Sequence, residues 1–287
     1  MRKKQMKNYL YILPAFVFLV LFTIYPILRS AWLSFFDTDA VLSYTDFVGL
    51  KNYREMVESP VFREVAANTL IFGILQVVLS TVLGFLAALL ASGKKNRMKG
   101  IFKVALFYPY ILPWTVGAMV WMYILHPTRG IVNMLLHTRI QWLNSYQLTL
   151  YVLVLISVWK TVGFNFLFFL SGIQTISEEL WEAYSMDSKS VVKWVWHVVI
   201  PLISPTAFAV ILLSVVGSFQ SVDLIYILTQ GRPGNSTNTM IYYIYQEGIT
   251  NWDIGYGSAL STVLFLGLLL FTVVYLFIGE RKVNYEQ

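Results

Sequence analysis

Long apolar runs separated by short charged clusters dominate the chain. Six stretches reach the length of about 20 mostly apolar residues that a membrane-crossing helix needs: 10–28, 65–92, 101–125, 147–172, 206–230 and 258–280. Backbone groups in lipid must be satisfied within the segment, so runs this long read as helices and not as barrel strands. The expected class is an all-α integral membrane protein, a single transmembrane domain over 1–287 with a polar inner loop at 173–205. Arg2, Lys3, Lys4 and Lys7 precede the first run as they would in a signal peptide. That run is longer than a usual signal core and no A-x-A-like site follows, so it reads as an uncleaved first helix. Pro109 and Pro113, in FYPYILPW, are expected to bend the third span. Such a break is tolerated where helices pack together or line a cavity. No repeat of 20–50 residues is visible.

Six crossings put both termini on one side. On that side lie 13 Lys and Arg, against 6 in the opposite loops 37–64, 126–146 and 231–257. By the positive-inside rule both termini of this multi-pass chain are expected to be cytoplasmic. The net charge of +6 is explained by this orientation and calls for no nucleic-acid partner. Only 13% of residues are charged, where a soluble domain carries about 25%. The abundant Trp, Tyr and Phe suit two lipid interfaces. With no cysteine, neither a disulfide framework nor thiolate chemistry is available, and the redox compartment is not indicated.

The loop 173–205 is the most structured polar segment. Ser177 is placed as an N-cap, with Glu178 and Glu179 in the first turn where negative charge suits the helix dipole. Leu180, Trp181, Tyr184, Val191 and Val195 recur at near-helical spacing, and Glu178, Glu182, Ser185, Lys189 and Lys193 follow on another face. Asp187-Ser188 is expected to cap a second short helix, which Pro201 should stop. The pattern fits a helical hairpin along the inner surface. Taken alone, it reads either as an amphipathic connector at the lipid surface or as a docking element.

At this point the sequence resembles the inner-membrane permease subunits of bacterial ABC importers. Their cytoplasmic signature runs EAA, three residues, Gly, then about nine residues to an I-x-LP ending. Here stand Glu182-Ala183-Tyr184, Ser188 at the glycine position and Ile200-Pro201. Tyr184 replaces the second alanine. Further matches look like the carbohydrate-type branch: LPAFVFLVLFTIYPILRSAWLSF, GLKNY (49–53), Asn68-Thr69, FYPYILP, GIVN (130–133), WKTVGFNF (159–166), VDLIYILTQGRPGNST and GYGSALS. Arg232 stands where that branch usually has a second glycine. The resemblance implies the type I importer fold and makes the loop a coupling helix seated in a cleft of a separate ATPase. Glu182, Ala183, Tyr184, Met186, Asp187 and Ser188 would form the contact, with Trp181 and Tyr184 a rigid knob. It also implies a second, different permease, two ATP-binding subunits that use ATP and Mg, and an extracytoplasmic solute-binding protein. The solute would be a sugar or oligosaccharide; the alternative is a non-sugar solute such as a glycerol phosphodiester.

Polar groups inside the spans invite three readings. Lys160 lies deep in the fourth span, where a lysine costs about 2.5–3.5 kcal/mol on insertion scales and must face protein or water. Gln220 and Asp223 are expected on one face of the fifth span with Gly217. Lys160 could pair with Asp223. Alternatively Lys160, Asn165, Gln220 and Asp223, with Trp114, Tyr110 and Phe164 as aromatic faces, line a solute path. The third reading is polar glue between helices. Arg29 is read as snorkelling to the outer interface.

Other chemistry is not signalled. No G-x-x-x-x-G-K-[ST] loop is present, and SGKKNRMKG reads as a solvated inner loop, so ATP hydrolysis is expected from another polypeptide. His126, His137 and His197 lack metal-ligand spacing. No G-x-S-x-G occurs, so no catalytic residue is assigned.

Overall fold

The apolar runs fold as helices, and departures from the sequence reading fall mainly at prolines. The computed structural model describes residues 2–38, 45–93, 99–188 and 190–279. Lys189, the loop 94–98 and the tail from 280 lie outside these residues. Helix α1 (Arg2–Leu19) passes through a π-helical turn (Val20–Ile24) into α2 (Tyr25–Leu33). A short antiparallel pair follows, β1 (Phe36–Thr38) with β2 (Thr45–Phe47), Phe36 opposite Phe47, and then α3 (Lys51–Glu58). Next come α4 (Pro60–Ser92), α5 (Lys99–Ile111), α6 (Trp114–Ile124), the short α7 (Ile131–Leu136) and α8 (Thr149–Gln174). The polar loop holds α9 (Glu178–Asp187) and α10 (Val191–Trp194), then a second π turn (Val195–Val199) and α11 (Ile200–Leu202). The chain ends with α12 (Ser204–Ser218), α13 (Val222–Leu228), α14 (Met240–Tyr245), a third π turn (Gln246–Thr250) and α15 (Ile254–Gly279).

Among the described residues, four segments are long and apolar enough to cross a membrane unaided: Tyr11–Leu33, Pro60–Ser92, Thr149–Gln174 and Ile254–Gly279. Two further pairs pass only as bent units, Gly100–Ile111 with Trp114–Ile124 at 103° and Val191–Leu202 with Ser204–Ser218 at 74°. Counting each pair as one crossing gives six.

The third stretch bends at Leu112–Pro113 alone. Pro109 sits inside α5, while Pro113 takes extended backbone (φ −55°, ψ 144°) and caps α6. A proline also forces its predecessor away from helical geometry, which ends α5 one residue earlier. The fifth stretch is not the single helix 206–230. α12 stops at Ser218 and α13 starts at Val222, so Gln220 lies in the link and does not share a helix face with Asp223. α12 alone spans about 22 Å at 1.5 Å per residue, short of a hydrocarbon core of about 30 Å.

Pro201 does not stop its helix either. It lies two residues past the end of the second π turn, as Pro26 lies two residues past the first. In each turn the backbone N–H bonds five residues back, Ile200 to Val195 and Tyr25 to Val20. The wider turn moves aside the carbonyl that the proline ring would strike and needs no proline N–H.

The chain divides into two compact units, one formed by residues up to Arg63 with Tyr243–Leu268, the other by Glu64–Tyr242 with the chain from Leu269 on. In the first, Asn52 donates to the carbonyls of Ser34 (2.9 Å) and Phe36 (3.0 Å), tying β1 to α3. Ser59 ends α3 in extended backbone before Pro60, and its Oγ accepts from Phe62 N at the start of α4. In the second, α8 is the most buried of the long apolar helices. Its Phe166, Phe169 and Leu170 form a core with Ala88 and Ala91 of α4, Trp194, Val199, Ile203 and Val210.

Close approach around α8 depends on small residues. A Cβ on Gly163 would collide with the Leu106 carbonyl of α5, and one on Gly172 would lie 2.8 Å from Thr206 Oγ1 of α12. Such contacts let membrane helices gain van der Waals packing without a hydrophobic driving force between them. Gly163→Val is therefore expected to destabilise by about 1–3 kcal/mol or more through overpacking, read as a lower unfolding midpoint in detergent. Gly217→Ala, where a Cβ meets nothing within 4 Å, should leave the midpoint unchanged.

Candidate functional site

Helix α9 starts where the sequence places it. Ser177 is the N-cap in extended backbone, although its side chain makes no capping bond, and Glu178 and Glu179 fill the first turn. The second helix is capped by Ser190, whose Oγ accepts from Lys193 N, and not by Asp187-Ser188. Ser188 serves the turn between them by accepting from Ser190 N (3.3 Å). Because α9 and α10 are separate, one apolar face does not run through both, and Val191 is exposed.

Trp194 holds α9 in place. Trp181 meets it edge-on with ring centroids 5.1 Å apart, and Tyr184 lies against it at 5.1 Å. Trp194 itself belongs to the core formed by α4 and α8. The two aromatics expected as a knob both pack on Trp194, while Trp181 stays 39% exposed. Tyr184 also has a physical role that alanine could not fill. Glu182, Ala183 and Met186 face outward, Met186 87% exposed, an unusual degree for so apolar a side chain. Asp187 closes the helix. The outcome is a short helix with an exposed outer face on an aromatic footing.

The intramembrane polar residues do not form one cluster. Lys160, 6% exposed, donates to the carbonyls of Pro109 and Tyr110 (3.2 Å each) and of Leu112, with the Trp114 ring centroid 4.9 Å away. Among the described residues no Lys160–Asp223 ion pair is present, which corrects that pairing. An ammonium has three donors, and three carbonyls accept them. Asn165 is buried among other side chains, donating to Ser80 Oγ (3.1 Å) and accepting from Ser214 Oγ (3.2 Å). It ties α8 to α4 and α12. Tyr110 and Phe164 stack on each other at 5.0 Å. Gln220 and Asp223 are exposed at the α12–α13 break.

The remaining motif residues have structural duties that sequence reasoning missed. Asn68 donates to the carbonyls of Asn235 (2.8 Å) and Asn238 (3.2 Å), and Thr69 accepts from Met240 N (2.8 Å). The pair at the start of α4 therefore pins the loop that follows α13, over 160 residues away. Asn133 organises the loop after α6: it donates to the Pro127 and Ile140 carbonyls and accepts from Thr138, Ile140 and Trp142. Nearby, Tyr146 donates to Glu64 (2.8 Å), and that carboxylate holds the phenol above its ordinary pKa. Only the recurrence of Asn in turn-rich segments could have hinted at these anchors.

Removing the footing should free α9. Trp194→Ala is expected to cost on the order of 3–5 kcal/mol, as buried aromatic truncations do. Limited proteolysis should then cut within 177–190 faster than in wild type, with the α4–α8 bundle still protected.

With this geometry established, comparison with known proteins is informative. Residues 80–283 match the family described as binding-protein-dependent transport system inner membrane component. The chain is 32% identical over 283 residues to the sn-glycerol-3-phosphate transport system permease protein UgpA of Pectobacterium atrosepticum, covering 97% of this chain and 95% of that one. It is 31% identical over 274 residues to the sulfoquinovosyl glycerol transport system permease protein SmoG of Agrobacterium fabrum, covering 94% and 89%. In fold it matches a chain of the crystal structure of a bacterial ABC transporter involved in the import of the acidic polysaccharide alginate, with a TM-score of 0.85, 98% of each chain covered and 18% identity. A helical chain with four to six candidate apolar spans among its described residues and a match over 80–283 belongs to the binding-protein-dependent transport system inner membrane component family.

Proposed function

We propose that this chain is one permease subunit of an ATP-driven importer that receives a sugar or oligosaccharide from a separate binding protein. It acts as a single transmembrane domain and contributes half of the translocation pathway, a second permease contributing the other half. Two ATP-binding subunits dock from the cytoplasm and carry ATP and Mg; this chain binds neither and has no catalytic site of its own. Both termini are cytoplasmic, and the loops 37–64, 126–146 and 231–257 face the binding protein.

The observation that carries this reading is the exposed outer face of α9, formed by Glu182, Ala183 and Met186. Glu182, Ala183 and Met186 contact the ATPase, with Asp187 and Ser188 at the end of the same helix, while Tyr184 supports them from behind. A helix so footed transmits displacement to α4 and α8 through Trp194. It shifts the permease between inward- and outward-facing states only if the ATPase holds it differently in each. Gln220 and Asp223, exposed at a helix break, are the polar groups assigned to the solute path, with Trp114 beside them in role. The donors of Lys160 and the amide of Asn165 are engaged by protein.

A second reading concerns the solute alone. The relatives named for sn-glycerol-3-phosphate and sulfoquinovosyl glycerol favour an anionic glycerol derivative such as a glycerol phosphodiester. Solute-stimulated ATPase of the reconstituted complex, compared across neutral oligosaccharides and glycerol phosphodiesters, decides between them. For the coupling assignment, Glu182→Lys is expected to insert normally yet lose co-purifying ATPase and uptake. Wild-type uptake at equal expression would falsify it.

A further inference from the structure

The bend between α5 and α6 leaves backbone carbonyls without donors. Pro113 has no N–H, so the carbonyl four residues back, that of Pro109, has no helical partner. The chain leaves helical geometry at Leu112, so the last carbonyls of α5 are unpaired as well. They lie at the negative end of a helix dipole, in a stretch apolar enough to enter a membrane as part of a bent pair. Three of them, those of Pro109, Tyr110 and Leu112, converge on Lys160 Nζ, and the Trp114 face adjoins it.

We infer that these three carbonyls and the Trp114 ring form a cation site, occupied by an ammonium tethered to α8, which fixes the angle between α5 and α6. Each part has a physical counterpart. Unwound backbone carbonyls and helix C-termini coordinate cations in membrane proteins, and an indole face attracts an ammonium. Lys160 is brought to the site by the close approach of α8 to α5 at Gly163, and Phe164 stacks on Tyr110, one of the residues that supplies a carbonyl. Along α6 the next contact is Trp121 against Trp159, the neighbour of Lys160 in sequence. Lys160 is thus a positioning residue for the bent span. All of its donors are occupied, so it offers none to a solute in this state. As a role in transport, the inference rests on the importer reading above; the site itself does not.

Chemical rescue tests it. Lys160→Ala removes three methylenes and the ammonium, which n-propylammonium replaces. The purified complex carrying Lys160→Ala is expected to unfold at a lower temperature than wild type. Millimolar n-propylammonium should raise that midpoint and leave wild type unmoved, while n-propanol should do nothing. The chain has no cysteine, so spin labels at Val104→Cys on α5 and Tyr123→Cys on α6 report the bend. The variant should show a broadened distance distribution that the amine narrows. Lys160→Arg, which keeps the charge, should retain most of the narrow distribution. If Lys160→Ala is lost during purification, Lys160→Met is measured instead, and it must also be less stable than Lys160→Arg. Uptake by Lys160→Ala is expected to fall about tenfold and to recover with n-propylammonium. Equal effects of amine and alcohol, or an unchanged midpoint and bend, overturn the site. A wild-type complex without solute-stimulated ATPase would instead overturn the importer reading and leave these measurements intact.

Discussion

Between Pro109 and Trp114 the helix breaks and leaves carbonyls without helical donors, in an apolar stretch where unsatisfied backbone would be costly in lipid. That constraint shapes the most buried part of the structure. An unsatisfied polar group in hydrocarbon costs several kcal/mol, and a lone buried ammonium costs more. The two deficits cancel when Lys160 meets the carbonyls. The arrangement requires α8 and α5 to approach closely, hence Gly163. It places Trp159 against Trp121 and leaves Asn165 one turn further on to bridge α4 and α12. WKTVGFNF is best understood as a run of consecutive helix contacts.

Prolines show the same accounting of backbone groups solved in different ways. Pro26 and Pro201 each follow a π turn, which widens the helix before the ring and keeps the axis continuous. Pro205 sits in the first turn of α12, where its missing N–H would have had no partner in any case. Pro113 lies at a bend of 103° and Pro205 beside one of 74°; at the first, a cation from another helix meets the freed carbonyls. Residue type does not decide the outcome; what lies opposite the freed carbonyl does.

The apolar runs were legible because lipid imposes a length and a polarity on any crossing, and α9 was legible because Ser177 and the glutamates after it mark a helix start. The places where helices break were not. Pro109 and Pro113 look equivalent in FYPYILPW, and only the approach of Lys160 distinguishes them. The Lys160–Asp223 pairing rested on complementary sign, which ignores carbonyls as partners for an ammonium. Gln220 and Asp223 have helical spacing, but the link after Ser218 removes the helix that would have aligned them. Tyr184 looked like a departure on the outer face until Trp194 appeared beneath it. The β1–β2 pair was invisible because three residues per strand carry no measurable alternation. Each miss concerns long-range geometry.

Asn133 has a consequence of a different kind. A single buried amide receives or gives five hydrogen bonds to the loop after α6, so that loop's shape is settled when the chain folds. Whatever meets it encounters a preformed relief, and little conformational freedom remains to be lost on contact. On the importer reading proposed above, a binding protein meeting this loop would be selected by orientation at encounter rather than by a search through loop shapes.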